Sequence, residues 1–494
     1  MRKSSFSILR WVSFILIFLA VLLTGIQLVS YSRLRSSFPP GMIIAGVPVG
    51  GLSQQQAADR LVQAYGIPIE LHYGDAVIQV KPSMVGFELD LQGMIAAADL
   101  QRITQPFWTS FWDFLWNRLP QPTEIPLRAK LSETRLTTFL REEIAARYDE
   151  PPSAPIPIPG TVNFQSGDPG TTLGVDKALI QIDDALRSPS ARVVKLSYSR
   201  STPPRPSLQN LEILLRQIID VAGFEGLTEI YLLDLQTNQE LSFAYQRGEM
   251  VTPGIAFNAA SLIKVPIMVS VYQRIPEPTP QSIVDMINLM VERSANDPAD
   301  RLMQRVLDQN LGPLQMTADL KSMGLENTFM AGYFYDGAPL LRRIETPANR
   351  RTDINTNPDD FNQTTAIEMG MLMEDIYLCA ENSGGTLEAV FQGDVSAQEC
   401  KAMIDMLSLN RIGILIQAGL PDGTRIANKH GWFTKRDDGY MKSLGDAGII
   451  YTPGGNYIQV IFMHHPVQLI FDPVNRLVAN LARATYNYFN MASE

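Results

Sequence analysis

Charge is scarce in this chain and leans the wrong way for nucleic acid. Only 19% of its 494 residues are charged and the formal net charge is −10. No basic run occurs beyond the N-terminus, so nothing attracts a phosphate backbone or an anionic membrane face in general. Nucleic acid is therefore set aside as a partner. The low charge, with 45% hydrophobic residues, also excludes extensive disorder, because such a composition buries enough apolar surface to fold. Cysteine is nearly absent. Cys379 and Cys400 are the only two, which allows one disulfide closing a loop worth about 3 kcal/mol in an oxidising exterior, or two buried thiols. A complete calcium loop is lacking too. Asp353, Asn355, Asn357 and Asp359 alternate like its first half, but Pro358 and Thr364 stand where Gly and Glu are needed. The segment reads as a turn-rich loop, and no metal or cofactor is expected.

What is present begins with a long uncharged run. Trp11 to Ser30 carries no charge, and its length as a helix matches the roughly 30 Å hydrocarbon core of a bilayer. Arg2, Lys3 and Arg10 precede it and Arg33 and Arg35 follow, a slight bias toward a cytoplasmic N-terminus. No small-x-small cleavage site follows the run, which favours an uncleaved anchor over a secretory signal. The expected division is residues 1–10 in the cytoplasm, 11–30 in the membrane and the remainder outside the cell. A chain of this length exceeds one hydrophobic core, since cores stop growing at roughly 250 to 300 residues.

Proline clusters mark the seams: residues 38–41, PPSAPIPIPG at Pro151 to Gly160, and TPPRP at Thr202 to Pro206. Between the first and last lies a weak internal echo. Val85 to Leu100 and Pro169 to Leu186 each place a Gly-containing turn before apolar residues at helical spacing. Residues 41–200 thus read as one region in two similar halves. GVPVGGLSQQQAADRL (Gly46 to Leu61) and GTVNFQSGDPGTTLGVDKAL (Gly160 to Leu179) resemble the peptidoglycan-binding domain that accompanies VanW-type cell-wall proteins. That resemblance implies the cell wall as a partner. A stalk holding the next domain off the membrane fits the same residues, because fold does not fix function.

After a linker at residues 201–207, the pattern over 208–494 changes to helix, two strands, a long helical middle, two strands and a final helix. Asn210 to Ala222 reads as an amphipathic helix, and Glu229 to Leu235 with Glu240 to Gln246 as an antiparallel hairpin. Ala447 to Pro453 and Asn456 to His464 flank a Pro-Gly-Gly turn, and Asp472 to Phe489 forms the last helix. The order predicts an α/β (α+β) sandwich.

Three short motifs inside this region carry chemistry. Ser261 and Lys264 lie at S-x-x-K where an apolar helix begins, so one turn brings them together. A serine hydroxyl is a weak nucleophile unless a base takes its proton, and a lysine serves only if burial or a second cation lowers its pKa. Ser294 and Asn296 follow a helix in SAN. Lys429, His430 and Gly431 lie on a strand that should pair with Ala447 to Pro453. Singly, each fits a structural role: Ser261 as a helix cap, Lys264 as a solvated residue, Ser294 and Asn296 as a helix stop and cap, Lys429 and His430 as exposed positions on an edge strand. Together and in this order they resemble the S-x-x-K, S-D-N and K-T-G of class A β-lactamases and penicillin-binding proteins.

That resemblance implies a five-stranded antiparallel sheet with helices on both faces and a helical lobe. It implies Ser261 as the acylated nucleophile, Lys264 as its base and Ser294 as the proton carrier to the leaving nitrogen. Asn296 would bind the substrate amide, and Lys429 its carboxylate. Gly431 would let the substrate lie close to the strand. The backbone amides of Ser261 and Trp432 would form an oxyanion hole. The reaction it implies is hydrolysis of a β-lactam amide bond through an acyl-enzyme on Ser261; the alternatives are a D-Ala-D-Ala peptidase acting on peptidoglycan stem peptides and a catalytically inactive cell-wall binding protein. Departures are visible: Ser261 and Ser294 are close in sequence, Ala295 replaces Asp, and His430 replaces Thr, offering instead a hydrogen bond or a titration near pH 6 to 7. The family's water-activating glutamate has a loose counterpart in RIETPAN, with Glu345 as hydrolytic base or surface ion pair and Asn349 beside it.

Overall fold

The computed structural model describes residues 4–491 except 119–120, 383, 392, 411 and 435–437. The chain forms two compact units, one of residues 1–152 and 169–202, the other of residues 153–168 and 203–494. The chain passes from the first unit to the second for the last time at 202/203. The 41–200 span is itself divided, because residues 153–168 belong to the second unit.

In the first unit, Ser4–Arg35 is one helix. Its Leu9–Arg35 stretch has a mean hydropathy of 2.6, and Leu9 to Gly25 is exposed throughout. The two echoing segments each fold as a short strand running into a helix: Phe87–Leu89 into Leu91–Ile103, and Gly170–Leu173 into Val175–Leu186. Their apolar faces, Met94 and Ala98 in one and Ala178 and Ile182 in the other, enter a single core.

The main sheet of the second unit has six described strands: β1 (Leu227–Asp234), β2 (Gln239–Gln246), β3 (Glu249–Val251), β4 (Arg425–Thr434), β5 (Met441–Tyr451) and β6 (Tyr457–His464). All pair antiparallel in the order β3-β2-β1-β6-β5-β4. The sheet has six strands where five are expected. The added β3 is three residues long, too short to show a period-2 alternation.

Every residue of β1 is buried because both faces of the sheet are covered. Ile230 and Leu232 enter one core with the helices α1 (Leu208–Val221) and, from the chain's end, Phe471–Phe489. Leu227, Tyr231 and Leu233 enter the other, with the helices α2 (Lys264–Tyr272), α3 (Gln281–Val291), α4 (Asn296–Leu302), α5 (Ala366–Asn382) and α6 (Ala397–Leu407). The second unit is therefore a three-layer α/β arrangement. Cys379 and Cys400 form a disulfide, with Cα atoms 5.9 Å apart, tying α5 to α6.

Residues 153–168 complete the first of these cores. Asn210 Nδ2 donates to Pro155 O at 3.0 Å and Asn487 Nδ2 to Val162 O at 2.9 Å. Phe164 lies among the residues of that core, 6.2 Å from the Tyr488 ring.

Candidate active site

Two elements from distant parts of the chain meet at Ser261. Ala260–Ile263 is a 3-10 turn that leads into α2. Asn258 Oδ1 accepts from Ala260 N at 2.8 Å, and Ala260 has φ 49°, a left-handed geometry that costs a non-glycine residue about 1 kcal/mol or more. That kink turns the chain toward β4. A Cβ built on Gly431 would stand 2.6 Å from Ser261 N and 3.1 Å from its Cα, so only glycine lets the strand lie this close. Gly431→Ala should push β4 away from the Ser261 amide and slow acylation about 10-fold or more, as loss of a well-placed oxyanion donor does. Stopped-flow labelling by a fluorescent penicillin reads this directly.

α2 is buried on every side, Lys264 included. Lys264 Nζ lies 3.0 Å from Ser261 Oγ, 2.6 Å from Ser294 O, 2.8 Å from Asn296 Oδ1 and 3.4 Å from Ser294 Oγ. Burial, then the nearby Lys429 charge, push its pKa down to about 7, against the opposing pull of Asp300. A neutral amine has two N–H donors and a lone pair. The two pure acceptors, Ser294 O and Asn296 Oδ1, use the donors, leaving the lone pair for the Ser261 hydroxyl proton. This is the arrangement a general base requires.

Lys429 Nζ reaches Ser294 Oγ at 3.0 Å and His430 O at 2.9 Å. Ser294, at φ 55°, thus bridges two amines. Burial lowers the Lys429 pKa to about 8 while the Asp446 charge raises it. These values fix a pH dependence. The Lys264 amine becomes a base as pH rises through about 7, and the Lys429 cation is lost as pH rises through about 8. The acylation rate constant should be bell-shaped, with its maximum between those limbs, when measured across pH 5 to about 10.

Strand alternation separates Lys429 from its neighbour. Ala427, two residues before Lys429, is in the core under the helical lobe, whereas Ile426 is in the opposite core. His430 shares the parity of Ile426. Its Nδ1 lies 3.0 Å from Asn410 Nδ2, and its ring stacks on Trp432 at 5.8 Å. Burial, then the Lys429 charge, lower its pKa to about 4, below the pH 6 to 7 range expected from the sequence. The structure brings Ser261, Lys264, Ser294, Asn296, Lys429 and Gly431 together, and turns the His430 side chain away from Ser261.

Glu345 and Asn349 lie outside the cluster. The Glu345 side chain is 70% exposed, 3.9 Å from Arg350. Asn349 closes its own loop, accepting from Thr346 N at 2.8 Å and donating to Ile344 O at 3.0 Å and Gln363 Oε1 at 2.9 Å. The Phe334 ring covers Lys264 instead, 5.1 Å from Nζ. Asp300 holds Phe334 there, each carboxylate oxygen accepting one backbone amide, Phe334 N and Tyr335 N, both at 2.9 Å. Sequence reasoning passed over both residues. The available signal was Asp300 one helical turn beyond Asn296; nothing local in YFYD marks Phe334.

Comparisons with known proteins found the following similarities. Residues 275–489 match a family model described as the beta-lactamase enzyme family, a stretch that contains Ser294, Asn296 and Lys429 and begins after Lys264. No curated protein matches the chain. Among solved structures, PBP-A is 19% identical, covering 58% of this chain and 99% of its own, with a TM-score of 0.40. A β-lactamase from Desulfarculus baarsii is 15% identical over 58% and 99%, with a TM-score of 0.41, and one from Sphaerobacter thermophilus 15% over 58% and 98%, at 0.40. Over residues 275–489 the second unit is thus similar to the beta-lactamase enzyme family.

Proposed function

We propose that this chain is a membrane-anchored, extracytoplasmic serine acyltransferase-hydrolase of the penicillin-binding type. Its natural reaction would be cleavage of D-Ala-D-Ala stem peptides of peptidoglycan. The observation that carries the reading is the chain of contacts Ser261–Lys264–Ser294–Lys429. Ser261 Oγ attacks the substrate carbonyl as its proton passes to Lys264. The new oxyanion takes hydrogen bonds from the Ser261 and Trp432 amides, donors typically worth roughly 3 to 4 kcal/mol each. Ser294 Oγ then delivers its proton to the leaving nitrogen and takes one from the Lys264 ammonium, the C–N bond breaks, and the carbonyl carbon remains as an ester on Ser261. Lys429 supplies the positive charge for the substrate's carboxylate, and Asn296 an amide nitrogen for its backbone carbonyl.

A β-lactamase needs a second base to activate water against that ester. Among the described residues no carboxylate is hydrogen-bonded to Ser261 or Lys264. Asp300, whose charge does reach Lys264, spends its oxygens on backbone amides. This favours a long-lived acyl-enzyme with β-lactams over rapid turnover. A β-lactamase using Glu345 is the second reading, and a wall-binding protein without activity is the third. The Leu9–Arg35 apolar helix supports the anchor, and residues 41–200 would hold the wall.

The full chain in detergent is mixed with a fluorescent penicillin, a chromogenic cephalosporin and a diacetyl-Lys-D-Ala-D-Ala peptide, beside Ser261→Ala. Stable labelling that Ser261→Ala abolishes, with D-Ala release from the peptide, supports the proposal. Fast cephalosporin turnover supports the second reading, and silence in all three assays the third.

A further inference from the structure

In the first unit, the helix Phe107–Leu115 has three tryptophans on or just past it at a spacing of four: Trp108, Trp112 and, as its C-cap, Trp116. That spacing sets them on one helical face. Their exposures are 64%, 60% and 67%, so three of the chain's five tryptophans point into solvent in a row. Leu100 and Ile103, at the end of the preceding helix, are exposed as well. A soluble surface gains nothing from such a row. Contiguous exposed aromatics of this kind mark an interaction surface.

The opposite face of the same helix says where it stands. Tyr31 is buried by the rings of Phe107, Phe111 and Phe114, with centroids 5.3, 5.7 and 5.2 Å away. Arg35 adds its guanidinium 5.2 Å over Phe107 and donates to Gln105 O at 3.0 Å. Tyr31 is the first residue past the uncharged Trp11 to Ser30 run. If that run fills the hydrocarbon core, Tyr31 marks its outer boundary, and the helix clamped to it stands at the same depth. Tryptophan is the residue that favours this depth, its ring body apolar and its N–H wet.

We infer that Phe107–Leu115 is an interfacial helix that lays Trp108, Trp112 and Trp116 into the headgroup boundary of the outer leaflet, a second membrane contact beside the spanning helix. The occupant of the tryptophan face is the lipid bilayer. The inference rests on the membrane-anchor reading above. Its consequence is orientation. A single span leaves the body free to tilt, whereas a span with a flanking interfacial helix fixes the first unit against the membrane plane.

The test uses the full chain in phosphatidylcholine–phosphatidylglycerol nanodiscs containing lipids with a nitroxide near the headgroup or deep in the acyl chain. Three variants each keep a single tryptophan, at 11, 112 or 432, with the others replaced by phenylalanine. The Trp112 variant should be quenched by the shallow nitroxide more than by the deep one, and the Trp432 variant by neither. Quenching at Trp11 without quenching at Trp112 overturns this inference and leaves the anchor standing. No quenching at Trp11 overturns both. A chain altered only by W108F, W112F and W116F guards against misfolding of the single-tryptophan forms. It should lose most of the shallow-quenched emission of the unaltered chain, and unchanged quenching overturns the inference.

Discussion

Lys264→Met is expected to slow acylation of Ser261 by roughly 10²- to 10⁴-fold, the usual contribution of a positioned general base. The substitution nearly conserves volume at a fully buried position, so the apolar stem of α2 keeps its packing. What disappears is the amine that faces the Ser261 hydroxyl and holds Ser294 O and Asn296 Oδ1. The loss should fall on the rate of covalent labelling and not on reversible penicillin affinity. The rising limb of the pH profile near 7 should vanish with it, since that limb belongs to Lys264. An unchanged rising limb in Lys264→Met would assign the base elsewhere.

Phe334→Glu is expected to act on the other half of the reaction. The Phe334 ring lies 5.1 Å from Lys264 Nζ, and its backbone is pinned by Asp300. A glutamate there would carry a carboxylate close to Lys264, next to Ser261, where it could take a proton from a water attacking the ester. Deacylation should speed by about 10²- to 10⁴-fold, again the range for general-base catalysis. Acylation should slow at neutral pH, because a nearby anion raises the Lys264 pKa and protonates the base. The half-life of the fluorescent penicillin adduct separates the two steps. If the adduct of Phe334→Glu persists as long as that of the parent chain, the proposed reason for slow turnover is wrong.

These two residues also show where the sequence is legible. Lys264 sits in a motif with a fixed three-residue offset, so helix geometry alone brings it to Ser261. Ser294 and Lys429 could be proposed because their motifs stand beside elements with clear periodicity. Asn210 to Ala222 and Asp472 to Phe489 were placed within two residues at either end of the observed Leu208–Val221 and Phe471–Phe489. β5 runs from Met441, six residues earlier than its apolar run suggests. Its first half is held by pairing with β4 and β6, a tertiary cause that no local pattern shows.

Phe334 was illegible for the same kind of reason. Its position depends on a carboxylate from another helix. His430 was misjudged differently. The motif comparison placed it beside substrate, but the parity of β4 sends its ring to the face shared with Ile426. There it meets Asn410 instead of the cleft. A one-residue step along a strand is a change of face, and Ala427 in one core with Ile426 in the other identifies the two faces of β4.

The divided second unit has a practical meaning. Residues 153–168 leave the first unit, fill part of the second, and return before the main body of the second begins at 203. A recombinant hydrolase cut at Pro203 would discard Phe164 and the carbonyl partners of Asn210 and Asn487. It would thereby open a greasy gap beside the terminal helix. During synthesis residues 153–168 emerge from the ribosome well before the surface they must cover. The two units are braided through three crossings, and neither can be swapped between proteins as a simple cassette.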